Sequence, residues 1–223
     1  THTGSLVEIE ILGKKIHYAL DFVGPHIAYN TVGVIACIHA LNLDVEDAAI
    51  SLKTIQLPRG RGGQIEIPLK SGASLTLIDE SYNANPIAMR AALAVLGSRM
   101  PRYGGRRVAI LGDMLELGVD GPCLHASLLD HLLAAKPDLV ITIGSLMREL
   151  YDKIPPTINC SHADRSIDVS KKISAELRAD DLVLIKGSLG TNMAPIVSAI
   201  ENMKSNSPSP YQLFEVGDSQ NAI

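Results

Sequence analysis

The residues able to do chemistry gather in the stretch 75–96, LTLIDESYNANPIAMRAALAVL. It begins as an apolar strand at 75–78, then meets acid and amide groups at Asp79, Glu80, Ser81, Asn83 and Asn85. Pro86 opens a helix whose apolar positions Ile87, Met89, Ala92, Leu93 and Leu96 recur at helical spacing. Carboxylates and amides thus collect where a buried strand ends and a helix starts, the usual place for a ligand in an α/β sheet. The same residue types also cap helices and form turns, so spacing alone leaves binding and capping as equal alternatives.

Three further apolar runs end in glycine and a polar group: LGD at 111–113, IGS at 143–145 and KGS at 186–188. In a parallel sheet such turns share one edge, at the carboxyl ends of the strands. Together with the 79–85 turn, that edge would collect Asp79, Asn83, Asn85, Asp113, Glu116, Lys186 and Ser188. Four converging turns favour a small-molecule site over chance. Lys186, after four apolar residues, could set a cation against a phosphate or carboxylate, or could simply snorkel from a strand end. Asp113 and Glu116 could hold a cation or a substrate amine, or cap a helix. His125, on the helix after GDMLELG, reads in isolation as a histidine packed against the sheet edge. Arg61, in a glycine-rich loop, is freer than a helical arginine to reach a phosphate; a surface arginine is the plain alternative. No GxxxxGK[ST] occurs, and GSLGTN at 187–192 lacks the lysine of a phosphate-cradling loop. RGRGG at 59–63 precedes a strand, so it does not open a dinucleotide-binding helix.

The elements that must position these groups follow from patterning. With 223 residues, 46% hydrophobic and 20% charged, the chain is long and apolar enough for a proper core and for one large or two small domains. A net charge of −4 gives no reason to expect a nucleic-acid surface, and no apolar run approaches a membrane span. Cys37, Cys123 and Cys160 form no CxxC pair, which fits buried thiols in a reducing cytoplasm. The histidines lack metal-site spacing, so no metal ligands are assigned. Residues 5–10 and 15–19 alternate as a hairpin; 26–41 and 45–55 read as helices, the first with Ile27, Val32, Val34, Ile35, Ile38 and Leu41 mostly buried. LPRGRGGQ (57–64) is a loop and a plausible hinge. Strands at 65–69, 75–78, 107–111, 139–143, 158–160 and 182–185 then alternate with helices near 86–96, 121–135, 146–153, 166–178 and 193–204. Short apolar strands between amphipathic helices predict an α/β fold: a Rossmann-like, mostly parallel sheet flanked by helices. The polar run after 205 reads as a flexible tail.

DESYNANPIAMRAAL (79–93), VAILGDMLELG (108–118) with His125, and VLIKGSLGTNM (183–193) resemble the C-terminal part of Mur ligases. GPHIAYNTVGVIACIHALNLD (24–44) resembles that family's helix at the end of its central ATPase domain, and RGRG (59–62) its arginine loop. The resemblance implies that 1–70 is the end of the central ATP-binding domain, 71–205 the C-terminal domain, and 206–223 the tail. It implies an ATP-dependent amide ligase that adds D-alanyl-D-alanine to UDP-N-acetylmuramoyl-tripeptide in peptidoglycan synthesis, through an acyl phosphate. Such an enzyme is a cytoplasmic bacterial monomer using ATP and Mg2+. By position, Asn30, Arg61, Asp79, Tyr82 and Asn83 would meet ATP. Asn85, Pro86, Asp113, Glu116, His125, Lys186, Gly187 and Ser188 would face the peptide substrates. Ile27 stands where many members have Asn, and Leu189-Gly190 where Arg-Ser is frequent, so contacts there are not carried over. No match to the phosphate-cradling loop, the UDP-sugar domain or the magnesium-holding lysine is present, which implies that this chain alone is inactive. Two alternatives stay open: a sibling or folylpolyglutamate-type ligase, and a non-catalytic nucleotide- or peptide-binding module.

Overall fold

The computed structural model of the protein describes residues 4–21, 25–55 and 58–204; the expected tail lies outside them. Strands β1 (Ser5–Ile11) and β2 (Lys14–Leu20) form the expected antiparallel hairpin, with Ile9 opposite Ile16. Helices α1 (Pro25–Ala40) and α2 (Val45–Ser51) follow. Asp44 caps α2, accepting from the backbone N–H groups of Glu46 and Asp47 at 2.8 and 3.0 Å. The helix expected to reach 55 closes instead in a 3-10 turn at 52–54.

The remaining elements build one six-stranded sheet. They are β3 (Gly63–Pro68), β4 (Ser74–Glu80), α3 (Pro86–Ser98), β5 (Arg107–Gly112), α4 (Gly121–Ala126), α5 (Leu129–Ala135), β6 (Leu139–Ile143), α6 (Arg148–Tyr151), β7 (Asn159–Ala163), α7 (Ser166–Ser170), α8 (Ile173–Glu176), β8 (Leu182–Lys186) and α9 (Ala194–Glu201). The spatial order is β3-β4-β8-β5-β6-β7, with β3 antiparallel to β4 and all other pairs parallel. Because successive strand residues point to opposite faces, each strand feeds two cores. Ile78, Leu111 and Leu184 pack with Met89, Leu93 and Leu96 of α3 and Leu132 of α5. Leu77, Ile110 and Ile185 pack on the other face with Val169 of α7, Ile173 of α8 and Ile196 of α9. The expected α/β fold with a parallel-dominant sheet is what forms.

The structure differs from expectation where helices were read as continuous. The 121–135 and 166–178 segments each break into two short helices. Near each break a serine hydroxyl donates to the carbonyl three residues back: Ser127 to Leu124 at 2.8 Å, and Ser170 to Ile167 at 2.9 Å. That local bond competes with the helical ladder. β7 is longer than expected, and the segment expected as helix 146–153 forms only α6. The thiols are not buried as expected: Cys37 and Cys123 are exposed and Cys160 is half-buried. Nor is α1 covered: Ile27 and Ile35 are buried, but Val34 is 48% and Leu41 68% exposed. β3, placed by the reading above with the segment before residue 71, is hydrogen-bonded to β4 along its whole length. Among the described residues no helix is long and apolar enough to cross a membrane.

Candidate functional site

The parallel register brings the carboxyl ends of β4, β5, β6 and β8 to one edge, as the 79–85 turn and the three Gly-plus-polar turns predict. At that edge a cleft of about 290 Å³ opens between α1, the 60–61 loop and the 80–85 turn. Asn30, Arg61, Tyr82, Asn83, Asn85 and Lys186 all line it. Leu20, Ile27, Val34, Leu52 and Ile55 supply its apolar wall. Six of the residues singled out from sequence thus share one cavity, although Asn30 lies more than 150 positions from Lys186 in the chain.

Lys186 is 3% exposed. Its Nζ donates to Oε2 of Glu80 at 2.9 Å and to the Asn83 carbonyl at 2.8 Å. An ammonium has three donors, so these two bonds leave one. Tyr82 is 44% exposed and carries the Arg61 guanidinium 4.0 Å from its ring centroid, a cation stacked on an aromatic face. The loop that presents Arg61 is laced to the turn through main chain. Gly62 N donates to Asp79 O at 2.7 Å, and Tyr82 N to Gly60 O at 3.0 Å. The Asp79 carboxylate completes the lacing, accepting from Gly60 N through Oδ2 and from Ser81 N through Oδ1, both at 3.1 Å. Glycine is required at 60: φ is +77°, and a Cβ would stand 2.9 Å from Tyr82 N. Asn85 caps α3, its Oδ1 accepting from Ala88 N at 2.8 Å, with Pro86 in the first helical turn.

The other expected site residues stand behind this wall. Asp113 is buried, and its two carboxylate oxygens accept from Met147 N at 2.7 Å and Leu146 N at 3.3 Å. It therefore caps the start of the 147–151 turn, the capping alternative left open by its sequence. Ser188 Oγ accepts from Leu115 N at 2.9 Å and donates to Ala84 O at 3.3 Å, tying two turns together. Gly187 allows close approach of strand ends, since a Cβ there would lie 3.1 Å from Gly112 Cα. His125 has no exposed surface; its Nε2 accepts from Met114 N at 2.9 Å and its Nδ1 lies 2.6 Å from Gly121 O. The direct substrate contact implied for His125 is thus replaced in this structure by bracing of the 114–121 loop. Glu116 is exposed on that loop in a left-handed conformation, φ +63°. Glu80 and Gly60, absent from the expected set, line the cleft as well. Glu80 is visible in the sequence as one acid of the 79–85 turn, but its pairing with Lys186 follows only from β4 and β8 being neighbours. Among the described residues no group of three or more His, Cys, Asp or Glu side chains could hold a metal ion.

A family model described as Mur ligase, glutamate ligase domain, matches residues 67–189. The UDP-N-acetylmuramoyl-tripeptide–D-alanyl-D-alanine ligase of Rickettsia prowazekii (strain Madrid E) is 33% identical over 187 residues, covering 84% of this chain and 40% of the relative. The ligase of the same name from Bacillus subtilis (strain 168) is 28% identical over 190 residues, again covering 84% and 40%. The chain spans about two fifths of the length of these curated relatives. Among solved structures, MurF ligase from Thermotoga maritima in complex with ADP superposes with a TM-score of 0.71 at 20% identity, covering 91% of this chain and 44% of that one. That likeness shows the fold. The family match takes in most of the six-stranded sheet and the turns at its carboxyl edge, and on it the chain belongs to the Mur ligase family.

Proposed function

We propose that this chain is the C-terminal part of an ATP-dependent amide ligase that joins D-alanyl-D-alanine to UDP-N-acetylmuramoyl-tripeptide. The observation that carries this reading is the shared cleft. Residues from the α1 segment (Asn30), the loop (Arg61) and the sheet edge (Tyr82, Asn83, Asn85, Lys186) converge on it. Both curated relatives named above carry that ligase name. The wall fits an adenine nucleotide in kind: a half-open aromatic face at Tyr82, a guanidinium stacked on it, and amide groups at Asn30 and Asn83. ATP supplies the phosphoryl group that makes the tripeptide carboxylate an acyl phosphate; the dipeptide amine then attacks the acyl carbon, forming the amide bond as inorganic phosphate leaves. The chain's own residues then act by placement and charge. Arg61 offsets phosphate charge, Lys186 directs its remaining donor at an oxygen of the reacting carboxyl, and Asn85 and Ser188 fix the turns that flank the acceptor. Among the described residues no group of three or more His, Cys, Asp or Glu side chains is placed to hold a metal ion, so no residue here is assigned to magnesium and no step is derived through it.

In this reading the division between the two units falls in the 58–62 loop, because β3 already belongs to the larger sheet. Closure of the larger unit onto the nucleotide, hinged at this loop, would exclude water from the acyl phosphate. The chain by itself turns nothing over, and its parent acts as a cytoplasmic monomer. The test has two steps. The intact mass of the natural polypeptide is compared with the 23.8 kDa of this chain; a much heavier species is expected. Phosphate release by that polypeptide is then expected to require ATP, the UDP-linked tripeptide and D-alanyl-D-alanine together. Turnover with a single amino acid in place of the dipeptide would overturn the substrate assignment.

A further inference from the structure

Glu80 is the one acidic side chain lining the cleft among the described residues, and nothing above gives it a task. It ends β4, as Lys186 ends β8, and the two are direct partners in the parallel register. Both are buried, Glu80 at 8% and Lys186 at 3%. A lysine on a neighbouring strand end would ordinarily extend into solvent. Here Oε2 of Glu80 holds Nζ at 2.9 Å, which also brings Nζ within 2.8 Å of the Asn83 carbonyl. Glu80 also lies beneath the arginine loop, for a Cβ built on Gly62 would come 3.6 Å from its Oε1. Arg61 and Tyr82 are the other charged and titratable groups on the same wall, and their stacking on each other keeps the guanidinium on the ring.

We propose that Glu80 is the positioning residue of this site, holding the Lys186 ammonium at the cleft wall and, through it, the Asn83 turn. The physical case is one of desolvation. An ammonium this buried needs a counter-charge, and removal of one partner leaves the other charge uncompensated. Glutamate suits the span: the carboxylate crosses from one strand to its neighbour, and aspartate, one methylene shorter, should hold the ammonium less well. The ligand served is the anionic oxygen of an activated carboxyl or phosphate, which rests on the function proposed above. The holding of Lys186 does not.

Two measurements test the inference separately. In the chain itself, acetic anhydride labelling read by mass spectrometry should modify Lys186 about tenfold more slowly than the exposed Lys53. Glu80→Gln should abolish most of that protection, and Glu80→Asp should restore part of it, at temperatures well below each variant's Tm. Equal labelling of Lys186 in wild type and Glu80→Gln would overturn the proposal. In the full-length ligase, Glu80→Gln should lower kcat/KM for D-alanyl-D-alanine by roughly 10–100-fold. The Glu80→Gln/Lys186→Gln double variant should lose no more than Lys186→Gln alone, since one residue acts through the other. Losses that multiply would overturn the coupling. A wild type with no dipeptide-dependent turnover would instead refute the proposed function, with the labelling result still deciding the role of Glu80.

Discussion

β5 and α1 are both written in apolar residues, yet the molecule treats them oppositely. On β5, Val108, Ala109, Ile110 and Leu111 have no exposure, because helices cover both faces of the sheet they cross. On and beside α1, Tyr29, Val34 and Leu41 are 76%, 48% and 68% exposed, and the helix rests on a small cluster with Ile16, Tyr18 and Leu52. Apolar composition is therefore a statement about what a segment can bury, and the neighbours decide whether it does. The cleft lies between the sheet edge and α1, so its sheet-edge wall is backed by a closed core while its α1 wall rests on a small cluster. The proposed ligase predicts that further chain covers this open face of α1.

The sharpest way to break the contrast is to truncate each region in turn. Leu111→Ala removes a fully buried side chain between β8 and β6, and should cost about 2–5 kcal/mol in urea unfolding. A loss below 1 kcal/mol would mean that the sheet core is much looser than its burial implies. Gly144→Ala should come next, at about 1–3 kcal/mol by the same measurement. Gly144 has φ +103°, and a Cβ there would stand 2.4 Å from the Asp113 carboxylate, so the variant must displace the acid that caps the 147–151 turn. An unchanged midpoint would show that this capping is dispensable.

A smaller effect is expected from His162 on β7. Burial first, and the nearby Arg148 second, push its imidazole below the usual 6.5, while Thr142 Oγ1 lies 2.9 Å from Nδ1. A depressed pKa means the unfolded chain takes the proton more readily. The contribution is thus complete above pH 6.5 and is lost as pH falls below it toward the folded value. Wild type should lose more stability than His162→Gln between pH 7.5 and pH 5; parallel pH profiles would dismiss the effect. Smallest of all, Tyr29→Gln should change the stability of this chain by no more than about 0.5 kcal/mol, since the side chain is 76% exposed and does not line the cleft. The same substitution in the full-length polypeptide should cost more. Identical costs in both would mean that nothing further covers α1.

Much of the sheet edge was legible in one dimension because its signals are local. Asn85-Pro86 starts α3 through a side-chain cap and a preset φ, and the short, mostly apolar runs at 107–111, 139–143 and 182–185 form parallel strands buried on both faces. Helix continuity was not legible at Ser127 and Ser170, where a hydroxyl chose a nearby carbonyl over solvent. Nor was the work of Asp113 and His125, whose types suit ligand chemistry and whose polar atoms are instead filled by backbone. For Asp113 the partners come from 33 and 34 residues on, and His125 is held by Met114 N eleven residues back as well as Gly121 O four back, so residue type and local spacing do not distinguish these outcomes.

By itself, the sequence determined the alternation of strands and helices, the polar turns that end the strands, and the family resemblance those turns carry. These follow from periodicity and from residues whose conformational preferences act within a few positions. Only the tertiary structure decided that β8 lies between β4 and β5, which sets Glu80 beside Lys186 across 106 positions and closes one cleft from α1, loop and turn. Strand order is fixed by how both faces of the whole sheet are covered at once, and no local pattern encodes that sum.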